Sequence, residues 1–156
     1  MPKGNTRVIE KLNELLASEL GAISQYIVHS EMTANWDYAE LTTYFKKRAV
    51  DEMKHAEALI ERILYLEGTP QVLQPAGINI GTAVPNMLVK DRAGEVGAIE
   101  DYNEGIRLCT ELADNGSREL CEKHLKDEEE HLDKIEARLT QIDQMGEENY
   151  LAAQIG

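Results

Sequence analysis

Cysteine is scarce: only Cys109 and Cys121 occur, twelve positions apart and outside any C-x-x-C spacing. That spacing offers neither a disulfide framework nor a zinc or rubredoxin-type knuckle, and the pair reads as reduced thiols of an intracellular protein. Proline is confined to positions 2, 70, 75 and 85, so two long stretches, about 3–69 and 86–156, carry no obligatory helix breaker. No apolar run reaches the length of a signal peptide or membrane span, since MPKGNTRVIEKLNELL is interrupted by Glu10 and Glu14. The expected location is the cytoplasm. Basic residues are outnumbered, 16 against 29 acidic ones, for a net charge of -13. Such a charge repels phosphate backbones and anionic lipid, so neither nucleic acid nor a membrane is an expected partner. It favours cations, but excess Glu also keeps a helical protein soluble, so charge permits metal binding without indicating it. Hairpin signals and alternating strand patterns of useful length are absent as well.

What remains is helix. The 156 residues suffice for one domain, 1–156, with a core of its own. Each proline-free stretch has room for two helices. In the first, Ala34 to Tyr38 breaks the pattern, and Asp37 followed by Glu40 resembles a capping pair. This predicts helices at about 5–34 and 38–66, the second ended by Gly68-Thr69-Pro70. Residues 71–85, QVLQPAGINIGTAVP, have no helical period and read as a crossover long enough to run from end to end of a bundle. Further helices are expected at about 86–113, at 117–144 with Ser117 as cap, and at 147–154 after Gly146. The sum is an all-α four-helix bundle with one long crossover and a short C-terminal fifth helix.

Two helical segments place Glu and His three residues apart, on one face: DEMKHAE gives Glu52 and His55, and DEEEHLD gives Glu128 and His131. One such pair in a Glu-rich helix is more often a solvated surface pair than a ligand set. Here the pairs repeat at a fixed offset of 76 residues, and Glu19 to Glu95, on the other two helices, is also 76. Tyr26 and Tyr102 share the offset, each seven residues after the Glu of its own helix. The halves of the chain thus read as copies of one helical hairpin. Packed about a pseudo-twofold axis, they bring to the bundle centre one Glu from each of two helices and one Glu-x-x-His from each of the others, the pattern of di-iron and di-manganese carboxylate proteins. Four buried carboxylates need compensating positive charge, which two divalent ions supply, and carboxylate with imidazole suits iron or manganese rather than a soft metal. Iron moving between its ferrous and ferric states then passes electrons to O2 or peroxide. For Tyr26 and Tyr102 two readings stand: a core hydroxyl that finds an acceptor, or a supporting role beside the metals, with Tyr26 holding a terminal carboxylate or donating an electron. His29 and His124 have no histidine partner in the repeat, and His124 reads as a polar lining residue rather than a ligand.

The segments SELGAISQYIVH, DEMKHAEALIERILYLEGTP, GINIG, KDEEEHLDKIE and MGEENYLAAQIG resemble those of bacterioferritins over essentially the whole chain. Rubrerythrins would add a CxxC-bearing module, and Dps-type miniferritins place their ligands between subunits. The resemblance implies a homo-oligomeric shell of 24 subunits that oxidises ferrous iron with O2 or H2O2 and stores ferric mineral, with a ferredoxin-like protein as possible reductant. It implies two iron ions per subunit, Glu19 and His55 serving one, Glu95 and His131 the other, and Glu52 and Glu128 bridging. The tail helix would pack near a symmetry axis of the shell. The resemblance further implies a b-type haem between two subunits, ligated by Met53 of each. At about 100° per residue Met53 lies well off the face of Glu52 and His55, and Leu20 and Ile27 are displaced from Glu19 in the same sense, as a dimer surface or haem wall. One departure is Lys46-Lys47-Arg48, where some members bind iron on the inner shell surface; Asp51 remains as an acid there. The competing function is a rubrerythrin-like di-iron enzyme that scavenges peroxide as a small oligomer. A purely structural bundle without metal is the third.

Overall fold

The computed structural model describes residues 3–72 and 74–156; Leu73, within the expected crossover, and Met1 and Pro2 lie outside the described residues. Four long helices, α1 (Thr6–Asn35), α2 (Ala39–Tyr65), α3 (Val84–Glu111) and α4 (Asn115–Met145), are followed by the short α5 (Glu147–Ala152). Hairpins α1–α2 and α3–α4 pair most extensively, and α1 faces α3 while α2 faces α4. Among the described residues no helix is long and apolar enough to cross a membrane.

The apolar positions build a core in two layers. One gathers Val8, Leu12, Leu16, Leu59 and Ile63 with Cys109 and Cys121. The other gathers Leu41, Phe45, Met87, Leu88 and Ile135 with Tyr150 of α5. Both thiols are free and buried. The glutamates and histidines of the repeat occupy the level between these layers, so each helix is apolar at both ends of its inner face and ionisable in the middle. The tail docks through Glu40 N–H, which donates to the Gln154 carbonyl (3.0 Å), and through Arg138 Nη1, which donates to Tyr150 Oη (2.9 Å).

The repeat extends into the turns, where it corrects the expected caps. Trp36 (φ -95°, ψ 3°) and Leu112 (φ -92°, ψ 8°) end α1 and α3, and Tyr38 (φ -89°, ψ 77°) and Asp114 (φ -94°, ψ 78°) precede α2 and α4. Between them Asp37 (φ 61°) and Ala113 (φ 56°) are left-handed. Asp37 is therefore the turn residue, not the N-cap, and Tyr38 makes no side-chain cap. Likewise Ser117 sits inside α4; its N–H (3.0 Å) and its hydroxyl (2.8 Å) both donate to the Asp114 carboxylate, which is the cap. Helix α3 begins at Val84, ahead of the expected 86, because Pro85 is tolerated in a first turn whose N–H groups have no intrahelical acceptor. At the end of α2 the left-handed residue is Glu67 (φ 63°) rather than Gly68. Gly68 is needed for space instead: a Cβ there would stand 2.6 Å from Ile9 Cγ2.

The crossover lies along α1 on positions four apart. Asn13 Nδ2 donates to the Thr69 carbonyl (3.1 Å) and Asn13 Oδ1 accepts from Gln71 N–H (2.8 Å). Ala76 N–H donates to the Ala17 carbonyl (3.0 Å). Gln25 Oε1 accepts from Asn79 N–H (2.8 Å), and His29 Nε2 from Gly81 N–H (2.9 Å). At Gly21 the helix lacks a side chain, and a Cβ there would lie 1.8 Å from the Ala76 carbonyl oxygen. The strap travels parallel to α1, so α3 starts beside the end of α1 and runs back antiparallel to it. That direction relates the two hairpins by a twofold rather than by a translation. Gly21→Val should detach the strap and destabilise the fold by about 1–3 kcal/mol. Gly94→Ala, on a helix where a Cβ meets nothing within 4 Å, should stabilise it by about 0.5–1 kcal/mol. Thermal and chemical unfolding of the two variants checks both signs.

Candidate metal centre

Glu19 on α1, Glu95 on α3, Glu52 and His55 on α2, and Glu128 and His131 on α4 meet at the middle of the bundle, each at most 4 % exposed. Their donor atoms form two overlapping groups, Glu19, Glu52, His55 and Glu128 in one and Glu52, Glu95, Glu128 and His131 in the other, with all atoms of a group within 4.8 Å. Glu52 and Glu128 belong to both. His55 Nδ1 stands 3.0 Å from Glu128 Oε1 and 3.6 Å from both Glu19 Oε2 and Glu52 Oε2. His131 Nδ1 stands 2.9 Å from Glu52 Oε1 and 3.6 Å from Glu95 Oε1.

These short contacts are not aligned as hydrogen bonds. Each of the six side chains keeps one buried donor or acceptor without a hydrogen-bond partner: Glu19 Oε2, Glu52 Oε1, His55 Nδ1, Glu95 Oε2, Glu128 Oε1 and His131 Nδ1. An unsatisfied buried polar atom costs about 1–3 kcal/mol, more if charged. Six of them converging is the arrangement expected of ligands aimed at ions, and the oxygen and imidazole donor set fits two divalent first-row metals.

The electrostatics agree. Burial, and then the charge of Glu52, push the Glu19 and Glu128 carboxyls well above their usual range. Burial works the same way on Glu52, but the close approach of Glu19, His131 and His55 outweighs it and holds Glu52 well below. For the histidines burial favours the neutral ring, yet surrounding carboxylates prevail, raising His131 to about 9 and His55 further. Without cations the centre therefore retains protons to limit its repulsion.

A second ring of groups holds the donors in place, and it crosses between hairpins. Tyr26 Oη donates to Glu95 Oε1 (2.6 Å), and Tyr102 Oη to Glu19 Oε1 (2.8 Å). The outer nitrogen of His55 meets Asp127 Oδ2 at 2.9 Å, and that of His131 meets Asp51 Oδ2 at 3.3 Å. Asp51 and Asp127 are again 76 residues apart and each directly precedes a Glu of the repeat. Sequence reasoning gave neither this role, although the offset that found the glutamates also pairs them. Lys46 and Lys47 are exposed as a cationic surface pair, but Arg48 is buried and bonded to Asp51 at 3.3 Å. His29 lies outside the centre, paired with Asp91 (3.1 Å) under the crossover. His124 lines the centre: its ring stacks on His55 at 4.0 Å and its Nδ1 lies 3.0 Å from Tyr102 Oη. Met53 and Ile27 are about half exposed, at 46 % and 44 %, and Leu20 is partly buried against the core. A cavity of about 300 Å³ opens between α1 and α3 and reaches Glu19, Glu52, Glu95 and Glu128.

The family model for the ferritin-like domain matches residues 9–145. A bacterioferritin of Mycobacterium bovis is 40 % identical over 150 residues, covering 96 % of this chain and 94 % of the relative. A bacterioferritin of Brucella melitensis is 38 % identical over 148 residues, covering 95 % and 92 %. A bacterial ferritin of Neisseria meningitidis is 40 % identical over 154 residues, covering 98 % and 99 %. Two crossed hairpins around a carboxylate and histidine centre, the ferritin-like domain and this near full-length identity together make the chain a member of the bacterioferritin family.

Proposed function

We propose that this chain is an iron-storage subunit with ferroxidase activity: it binds two ferrous ions at the bundle centre, oxidises them, and delivers ferric iron to a mineral inside a hollow 24-subunit shell in the cytoplasm. The observation that carries this reading is the set of six buried donors, one unpartnered atom on each, drawn together from four helices. Glu19 and His55 would serve one iron and Glu95 and His131 the other, with Glu52 and Glu128, common to both donor groups, available to both. With dioxygen the balance is two Fe2+ plus O2 and two H+ giving two Fe3+ and H2O2. With peroxide it is two Fe2+ plus H2O2 and two H+ giving two Fe3+ and two H2O.

The chain's own part is positional and electrostatic. Four carboxylates compensate the rising metal charge, the tyrosines fix the terminal glutamates, and the aspartates set the imidazole tautomer that leaves Nδ1 free for metal. Tyr26, 2.6 Å from Glu95, is also placed to give an electron during oxidation. Met53, about half exposed on α2, would hold a b-type haem shared with a second copy through its soft thioether, and Leu20 and Ile27 of α1 would contribute apolar wall. Bound there, haem would supply an electron path toward the mineral, with a ferredoxin-like protein as reductant.

Size-exclusion chromatography with light scattering and Soret detection tests assembly and haem together: a particle of about 24 subunits carrying haem is expected, whereas a haem-free monomer or dimer would favour a small peroxide-scavenging di-iron enzyme. His55→Ala and His131→Ala should each weaken metal binding by at least about a hundredfold and slow ferrous oxidation in stopped flow. Met53→Ala should abolish the Soret band and leave oxidation intact. Glu128→Gln removes one carboxylate from the buried cluster, so with chelator present it should melt higher than the wild type, by on the order of 1 kcal/mol. With divalent metal added, the order should reverse.

A further inference from the structure

The pseudo-twofold that relates the hairpins does not extend to a pair of positions packed against the histidines and aspartates of the centre. Residue 124 on α4 corresponds to residue 48 on α2 through the offset of 76; the first is His and the second is Arg. Both are buried, at 3 % and 8 % exposure.

Around His55 the support is continuous. The His124 ring stacks on it at 4.0 Å with an interplanar angle of 21°. His124 Nδ1 is tied at 3.0 Å to Tyr102 Oη, whose proton is donated to Glu19. Asp127 closes on the outer nitrogen of His55 at 2.9 Å. Glu19, Tyr102, His124, His55 and Asp127 thus form one connected chain of contacts that includes two donors, Glu19 and His55, of the same group. Asp127 is itself 45 % exposed, so the buried stack and the tyrosine tie supply most of the rigidity.

Around His131 the same donors have less behind them. Asp51 Oδ2 lies 3.3 Å from His131 Nε2 and also 3.3 Å from Arg48 Nη2, so one carboxylate oxygen is shared. The ring stacked nearest to His131 is that of His55, at 6.4 Å. Tyr26 holds Glu95, but its ring lies against Phe45 (6.5 Å) and bridges to no imidazole of the centre among the described residues. A buried guanidinium on this side also opposes an added cation, by the sign of its charge.

We propose that His124 is a positioning residue that makes the two metal positions unequal: the Glu19–His55 position fills first and holds its ion more tightly, and the Glu95–His131 position fills second. The inference rests on the metal-centre reading above and deepens it. Supporting groups that fix an imidazole typically alter metal affinity ten- to a hundredfold, so the expected ratio between positions is about tenfold or more.

Cobalt(II), added anaerobically at one equivalent per subunit to the assembled protein and located by anomalous scattering in crystals, tests this without turnover. Cobalt concentrated beside Glu19 and His55 in the wild type, with near-equal occupancy in His124→Leu, supports the proposal. Arg48→Gln, which releases Asp51 to His131 alone, should reduce the ratio from the other side and serves if His124→Leu does not fold. Equal peaks in the wild type, or a preference that both variants leave unchanged, overturn it. Cobalt at neither position would overturn the metal-centre reading itself, and the inference with it.

Discussion

Four carboxylates and two imidazoles buried within a few ångströms of one another set the terms for everything around them. No apolar bundle tolerates such a cluster without cations or protons, since each unpaired buried charge costs several kcal/mol even after relaxation. The fold answers with layers of Leu, Ile, Phe and Met above and below the cluster. These give the bundle its stability at its two ends and leave the middle free to be polar. The centre is a local loss of stability sustained by the packing on either side, and bound metal would offset it by satisfying the six open atoms.

The crossover is what makes the symmetry of the centre possible. Two identical hairpins joined by a short loop would meet α2 against α3 as antiparallel neighbours. Here the strap from α2 returns along Asn13, Ala17, Gly21, Gln25 and His29 before α3 begins. Helix α3 therefore opposes α1 antiparallel, Glu19 reaches Tyr102, and Glu95 reaches Tyr26. Gln25 and His29 also bond Asp91, so the same two side chains anchor the strap and the first turns of α3. Burial pushes the Asp91 carboxyl up, against the pull of His29 and Gln25, which marks this polar knot as a second buried ionisable group, structural in purpose.

Much of this was legible in the sequence because a repeat is a spacing, and spacings survive without coordinates. The offset of 76 located all six donors and both tyrosines, and two proline-free stretches with a glycine- and proline-bearing link between them specified the helices. The caps were not legible. A left-handed Asp37, Glu67 or Ala113 carries no compositional mark, since the residue best suited to that conformation, glycine, is absent from all three positions. Gly21 looked like any small helical residue, because the carbonyl that packs on it comes from Ala76, far along the chain. Asp51 and Asp127 were hidden by ordinariness, being acids in acidic helices, and His124 by having no His at the matching position. The feature that breaks a repeat is harder to read than the repeat itself.

Each metal position draws on both hairpins. The first hairpin offers Glu19, Glu52 and His55 to one donor group, which Glu128 of the second completes; the second offers Glu95, Glu128 and His131 to the other, which Glu52 of the first completes. A chain emerging from the ribosome with only α1 and α2 made holds an incomplete donor set, and α4 must be synthesised and packed before either position exists. If the centre binds iron as proposed, a half-built protein would offer each ion fewer donors than the finished bundle. Interleaving the donors in this way would tie completion of the metal centre to completion of the fold.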